Sequence, residues 1–88
     1  MPINENYILK HIGSDYMIIP TTKDNVSVEK IFNTNEVGGE IYNYLKLNKS
    51  VDEIVSLLLK EYDTTKEELE KDVKEFIGEL KKRGIFKD

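Results

Sequence analysis

The chain predicts an α+β fold: a three-stranded antiparallel sheet followed by three helices, in the order of a winged helix-turn-helix. Three observations carry that prediction. β-forming runs separated by turn residues fill the first third of the 88 residues. Apolar residues recur at helical spacing through the rest. Helix-start and helix-stop signals punctuate that second part at Asn35, Ser50, Thr65 and Gly84. The length suits one small core, so a single domain over residues 1–88 is expected.

The first strand is expected over 7–12, where Tyr7-Ile8-Leu9-Lys10-His11-Ile12 is rich in β-formers. Gly13-Ser14-Asp15 supplies a turn, because Gly tolerates positive φ and Ser and Asp bond their own backbone. A second strand over 16–20 ends at Pro20, which has no N–H to donate. The third is expected over 26–34: Val26, Val28 and Phe32 share one parity, with Lys30 as the exception, as in an amphipathic strand near an edge.

The first helix, 36–46, has Asn35 as N-cap and Val37, Ile41, Tyr44 and Leu45 at helical spacing. Gly38-Gly39 costs it about 1 kcal/mol per Gly relative to Ala. The pair marks either close backbone packing or a frayed helix start. Leu47-Asn48-Lys49 connects to a second helix, 51–61, which opens on the capping box Ser50-Val51-Asp52-Glu53 and carries Val51, Ile54, Val55, Leu58 and Tyr62 as its stripe. A second capping box, Thr65-Lys66-Glu67-Glu68, opens the third helix, 66–83. Leu69, Val73, Phe76, Ile77 and Leu80 mark its core face. Lys81, Lys82 and Arg83 suit the negative end of the helix dipole, and Gly84 suits the residue after the cap. Ile85-Phe86 is expected to fold back on the core.

Composition removes several functions. With no Cys there is no disulfide, thiol nucleophile or thiolate metal site, which suits a reducing, cytoplasmic setting. His11 is the only imidazole, and no Ser or Asp beside it makes a triad. The acids of the third helix alternate with lysines, as on a solvated face, and no metal-ligand spacing or phosphate loop occurs. Catalytic, metal and cofactor sites are therefore all expected to be absent. No apolar run approaches the roughly 20 residues of a membrane span, and Met1 to Lys10 lacks the features of a signal peptide.

A winged-helix DNA-binding regulator is the first alternative use of such a fold. Its recognition helix needs a cationic face. Residues 65–83 carry six acids and six bases, and the bases cluster where the dipole already explains them. The net charge of -4 also opposes nucleic acid: from Ser50 onward eleven acids face eight bases. A protein-binding module fits better. An exposed strand edge offers unpaired N–H and C=O groups to an extended peptide. Val28 to Thr34 is the candidate edge, and a helix beside it would form a groove lined by Ile31, Phe32, Val73 and Phe76. For Val73 and Phe76 a purely core role stands as the alternative.

The second half of the chain also resembles a family. Asn35-Glu36-Val37-Gly38-Gly39-Glu40-Ile41-Tyr42, Leu45, Ser50-Val51-Asp52-Glu53-Ile54, Tyr62-Asp63, Asp72-Val73, Phe76-Ile77, Leu80 and Gly84-Ile85 follow its order and spacing. The chain is similar to the PqqD family, whose members are also called RiPP recognition elements. It departs at Thr34, where the family has Leu, and at Leu47-Asn48-Lys49, where it has Asp-Gly-Lys. The resemblance implies a peptide chaperone of natural product biosynthesis. Such a protein binds the leader segment of a ribosomally synthesised precursor peptide by strand addition. It presents that peptide to a modifying enzyme, a radical S-adenosylmethionine (SAM) protein or a lasso-type leader peptidase. Carried over by position, the peptide contacts are Glu29, Lys30, Ile31, Phe32 and Asn33 on the strand, and Asp72, Val73, Phe76 and Glu79 on the third helix. An accessory docking subunit of an enzyme complex is the other alternative, and a free edge also permits a homodimer.

Overall fold

The computed structural model describes residues 3–21 and 31–87. Strands β1 (Tyr7–Ile12), β2 (Asp15–Pro20) and β3 (Phe32–Thr34) precede helices α1 (Glu36–Lys46), α2 (Val51–Leu59) and α3 (Lys66–Lys82). The sheet order is β1-β2-β3, antiparallel throughout. Gly13 turns the hairpin at φ 61°. The expected third strand is seen over its last three residues, while 26–30, with Val26, Val28, Glu29 and Lys30, lie outside the described residues.

Strand parity sorts the sheet into two faces. Tyr7, Leu9 and His11 pair with Pro20, Ile18 and Tyr16 on the helix side, where Ile18 is fully buried. Phe32 and Thr34 pair with Ile18 and Tyr16, so they share that side, whereas Asn33 pairs with Met17 on the other.

One cluster of buried side chains joins the sheet to all three helices, with Ile18, Ile41, Ile54, Val55, Leu58, Leu69, Val73, Leu80 and Ile85 at its centre. Tyr42 is fully buried and Tyr44 only half-buried, the reverse of the weight expected from spacing. The Tyr42 hydroxyl donates to the Tyr7 carbonyl at 3.1 Å, which lets a polar ring enter the core satisfied.

The helix ends follow local chemistry. Asn35 Oδ1 accepts from the Gly38 N–H at 2.9 Å. The Ser50–Glu53 box is made in both directions, at 3.0 and 3.1 Å. The second box is half-made: Thr65 caps the Glu68 N–H, but the Glu68 carboxylate accepts from the Thr64 hydroxyl at 2.8 Å instead of from the Thr65 N–H. α2 stops at Leu59, two residues early, because the Lys60 and Glu61 amides close tight turns onto Leu57 and Leu58, although the Tyr62 amide still reaches the Leu58 carbonyl at 2.9 Å.

α1 and α3 both end in Schellman motifs. Lys49 N–H donates to the Tyr44 carbonyl and Asn48 N–H to that of Leu45; Ile85 N–H donates to the Leu80 carbonyl and Gly84 N–H to that of Lys81. The left-handed residues are Asn48 at φ 62° and Gly84 at φ 73°. Asn48 thus does the work of the Gly in the family's turn. The second motif turns Ile85 into the core, and Phe86 pairs with Ile3.

Candidate functional site

The site begins with a free edge. β2 is paired on both sides, and β3 is paired only with β2 among the described residues. The outer edge of β3 thus presents backbone groups without a strand partner among the described residues. α3 meets β3 on the helix side of the sheet, where two half-buried rings join them: Phe32 and Phe76 stack with centroids 5.6 Å apart and planes at 25°. Arg83 extends the stack, its guanidinium 4.3 Å from the centre of the Phe32 ring. Glu79 holds Arg83 there, with Oε2 3.5 Å from Nε.

Above that bridge lies an open cleft of about 360 Å³. One wall is Thr34, Asn35 and the first turns of α1, with Val37, Gly38 and Ile41; the other is α3, with Asp72, Glu75, Phe76 and Glu79. The walls approach closely because of the paired glycines. A Cβ on Gly38 would overlap the Thr34 hydroxyl and come within 3.0 Å of Phe76 Cε1. A Cβ on Gly39 would come within 2.9 Å of the Tyr16 ring. Close packing, not fraying, accounts for Gly38-Gly39.

Of the residues expected at the site, Asp72, Phe76 and Glu79 line the cleft and Phe32 stacks against its floor. Ile31 is half-buried just ahead of β3. Asn33 is exposed on the opposite face of the sheet. Val73 is fully buried in the core, one residue round α3 from the lining, so its side chain supports the wall without facing the cleft. Glu29 and Lys30 lie outside the described residues. Glu75, the α1 wall and Arg83 were not foreseen. Glu75 was legible: Asp72, Glu75, Phe76 and Glu79 follow the i, i+3, i+4, i+7 pattern of one helix face.

The remaining ionisable groups do other work. His11 stacks on Tyr16, ring centroids 4.0 Å apart. No cluster of three metal-ligating side chains occurs among the described residues, and none of their helices is long and apolar enough to cross a membrane. Tyr62 donates to Glu40 Oε2 at 3.0 Å. Burial, and a shared hydrogen bond with Glu61, hold the Glu40 carboxyl above its ordinary value. Burial, then the bond to Glu40, pushes the Tyr62 phenol up to about 12. These groups tie α1 to the α2–α3 turn.

Two solved structures share this architecture. One is TbiB1 in complex with the TbiA(beta) leader peptide: 22% identity, TM-score 0.76, covering 98% of this chain and 94% of that one. The other is a lasso peptide synthetase B1 complexed with its leader peptide: 14% identity, TM-score 0.75, covering 94% of this chain and 92% of that one. At these identities the likeness establishes the fold. No curated protein matches the sequence. The model of the family described as coenzyme PQQ synthesis protein D (PqqD) matches residues 16–85, most of the chain, and the protein belongs to that family.

Proposed function

We propose that the protein binds the leader segment of a ribosomally synthesised precursor peptide and presents it to a modifying enzyme. The observation that carries this reading is the open cleft between α3 and the wall of Thr34 and the first turns of α1, next to a β3 edge with no further strand partner among the described residues. An extended peptide can take its backbone bonds from β3 and seat alternate side chains against Phe76, Val37 and Ile41. Family membership and the leader-peptide complexes of the two similar folds support the same assignment. The contribution is proximity: a bound leader raises the local concentration of the attached core peptide at an enzyme, with no bond chemistry by this chain. The partner enzyme is a radical SAM protein or a leader peptidase, working in the cytoplasm where the precursor is made.

Duplex DNA is a poor fit, because the exposed face of α3 beside the cleft carries Asp72, Glu75 and Glu79. The decisive experiment titrates the protein into a fluorescently labelled leader of its cognate precursor peptide. Saturable binding at micromolar protein is expected, and Phe76→Ala should abolish it. Amide shifts confined to β3, the start of α1 and α3 would locate the peptide. Absence of binding, or shifts centred elsewhere, would overturn the assignment.

A further inference from the structure

The cleft carries more negative charge than the described residues compensate. Its charged lining consists of Asp72, Glu75 and Glu79, and no cationic side chain lines it among the described residues. Arg83 engages Glu79. Asp72 and Glu75 are exposed and have no ion-pair partner among the described residues. Lys71 and Lys74 stand about 100° round the helix from Asp72 and Glu75 respectively, and Lys71, though an i,i+4 neighbour of Glu75, makes no ion pair with it. The facing wall, from Thr34 to Ile41, contributes only uncharged residues to the lining, and its helix-start amide at Gly38 is already capped by Asn35.

We propose that the cleft selects a basic peptide. The favoured segment is extended, with an apolar side chain on Phe76 and a Lys or Arg two residues away on the same face, held between Asp72 and Glu75. This deepens the peptide-binding reading and rests on it. The spacings agree. Asp72 and Phe76 are four residues apart, about 6 Å along the axis of α3. Same-face neighbours on a strand are about 6.6 Å apart. A peptide laid along the helix therefore places its apolar and basic side chains at Phe76 and Asp72 together. Asp72 and Glu75 are also i, i+3 neighbours, about 5–6 Å apart at Cβ, so one cationic head can meet both carboxylates. An acidic peptide, or a second copy of this chain at net charge -4, would meet repulsion at the same rim.

The test displays random dodecamer peptides and selects them against the full chain. Selected peptides should carry Lys or Arg two positions from an aromatic or aliphatic residue. A synthetic winner should bind the Asp72→Asn/Glu75→Gln double variant about 2- to 30-fold more weakly, the range expected for two exposed ion pairs. That gap should shrink in high salt. Both acids are exposed, so circular dichroism should show the variant folded as before. Winners without basic residues that still need Phe76 would overturn the charge selection and leave peptide binding intact. Equal affinity for the double variant would do the same. Failure to select any peptide that Phe76→Ala releases would overturn both readings.

Discussion

The α2–α3 pair and the border between β3 and α3 share a helix but are held together differently. Ile54, Val55 and Leu58 of α2 and Leu69, Val73 and Leu80 of α3 are all buried in one core cluster. Aliphatic chains meet there, each no more than 3% exposed. At the β3 border the bridge is two half-buried rings and an arginine stacked in line. Flat groups meeting face to face join the elements at a few points, and the space beside them, between α1 and α3, stays open. α3 thus carries two stripes offset by one residue, Leu69-Val73-Leu80 inward and Asp72-Phe76-Glu79 toward the cleft. On the proposed function, stability and peptide binding should therefore separate by mutation along one helix.

The largest expected effect breaks the closed side. Leu80→Ala removes a fully buried side chain, at a cost of about 2–5 kcal/mol. In a domain whose total stability is of order 5–15 kcal/mol, urea denaturation should show a large drop in midpoint. Phe76→Ala should cost clearly less, because the ring is only half-buried, yet it should remove peptide binding. Equal losses of stability from the two variants would end the distinction between the stripes.

The next effect concerns one substitution at two glycines. Gly38→Ala drives a Cβ into Thr34 and against Phe76, and should destabilise by about 1–3 kcal/mol despite the better helix propensity of Ala. It should also narrow the cleft and weaken peptide binding. Gly78→Ala, within α3, meets nothing within 4 Å and should stabilise by about 0.5–1 kcal/mol. Thermal unfolding of the two variants should shift in opposite directions. A rise in midpoint for Gly38→Ala would mean that the α1–β3 contact is looser than described.

A smaller effect lies at the left-handed turn after α1. Asn48→Ala places a Cβ-bearing side chain without Asn's local hydrogen bonding at φ 62°, and should cost about 1 kcal/mol. Asn48→Gly should hold or raise the midpoint. An unchanged midpoint for the Ala variant would show that the turn relaxes without loss.

What could be read in the sequence divides along similar lines. The Ser50–Glu53 box, the Gly84 stop and the core stripe of α3 were legible because capping and periodicity act within a few residues. The order of strands and helices followed from the same signals. The Thr65 box failed on its partner: Thr64, one residue away, offered Glu68 a hydroxyl at 2.8 Å. Tyr42 was underweighted in periodicity because its burial depends on the Tyr7 carbonyl, 35 residues back. The site was half-legible. Phe76 and Asp72 came from motif order, and Glu75 was available from spacing. Gly38 as a wall and Arg83 over Phe32 depend on how α1, β3 and α3 converge in space.

The smallest effect tests α1, which serves both regions: its first turns wall the cleft, while Glu40 accepts from Tyr62 beside the α2–α3 turn. Burial, then the bond shared with Glu61, raises the Glu40 carboxyl above its unfolded value. A group raised on folding binds its proton more tightly in the folded state, so its stabilising contribution is complete below the unfolded value, about 4.3 for Glu. It is lost as pH rises through the raised folded value. Glu40→Gln keeps an acceptor for Tyr62 and removes the titration. Chemical denaturation from pH 4 upward should therefore show the wild type losing stability relative to the variant across that interval, and a constant difference above it. The acidic rim at Asp72 and Glu75 is a separate group of charges, so peptide affinity should be the same in both proteins at neutral pH. A variant that loses affinity would show that the tie between α1 and Tyr62 also sets the width of the cleft, and the two regions would then be coupled through α1.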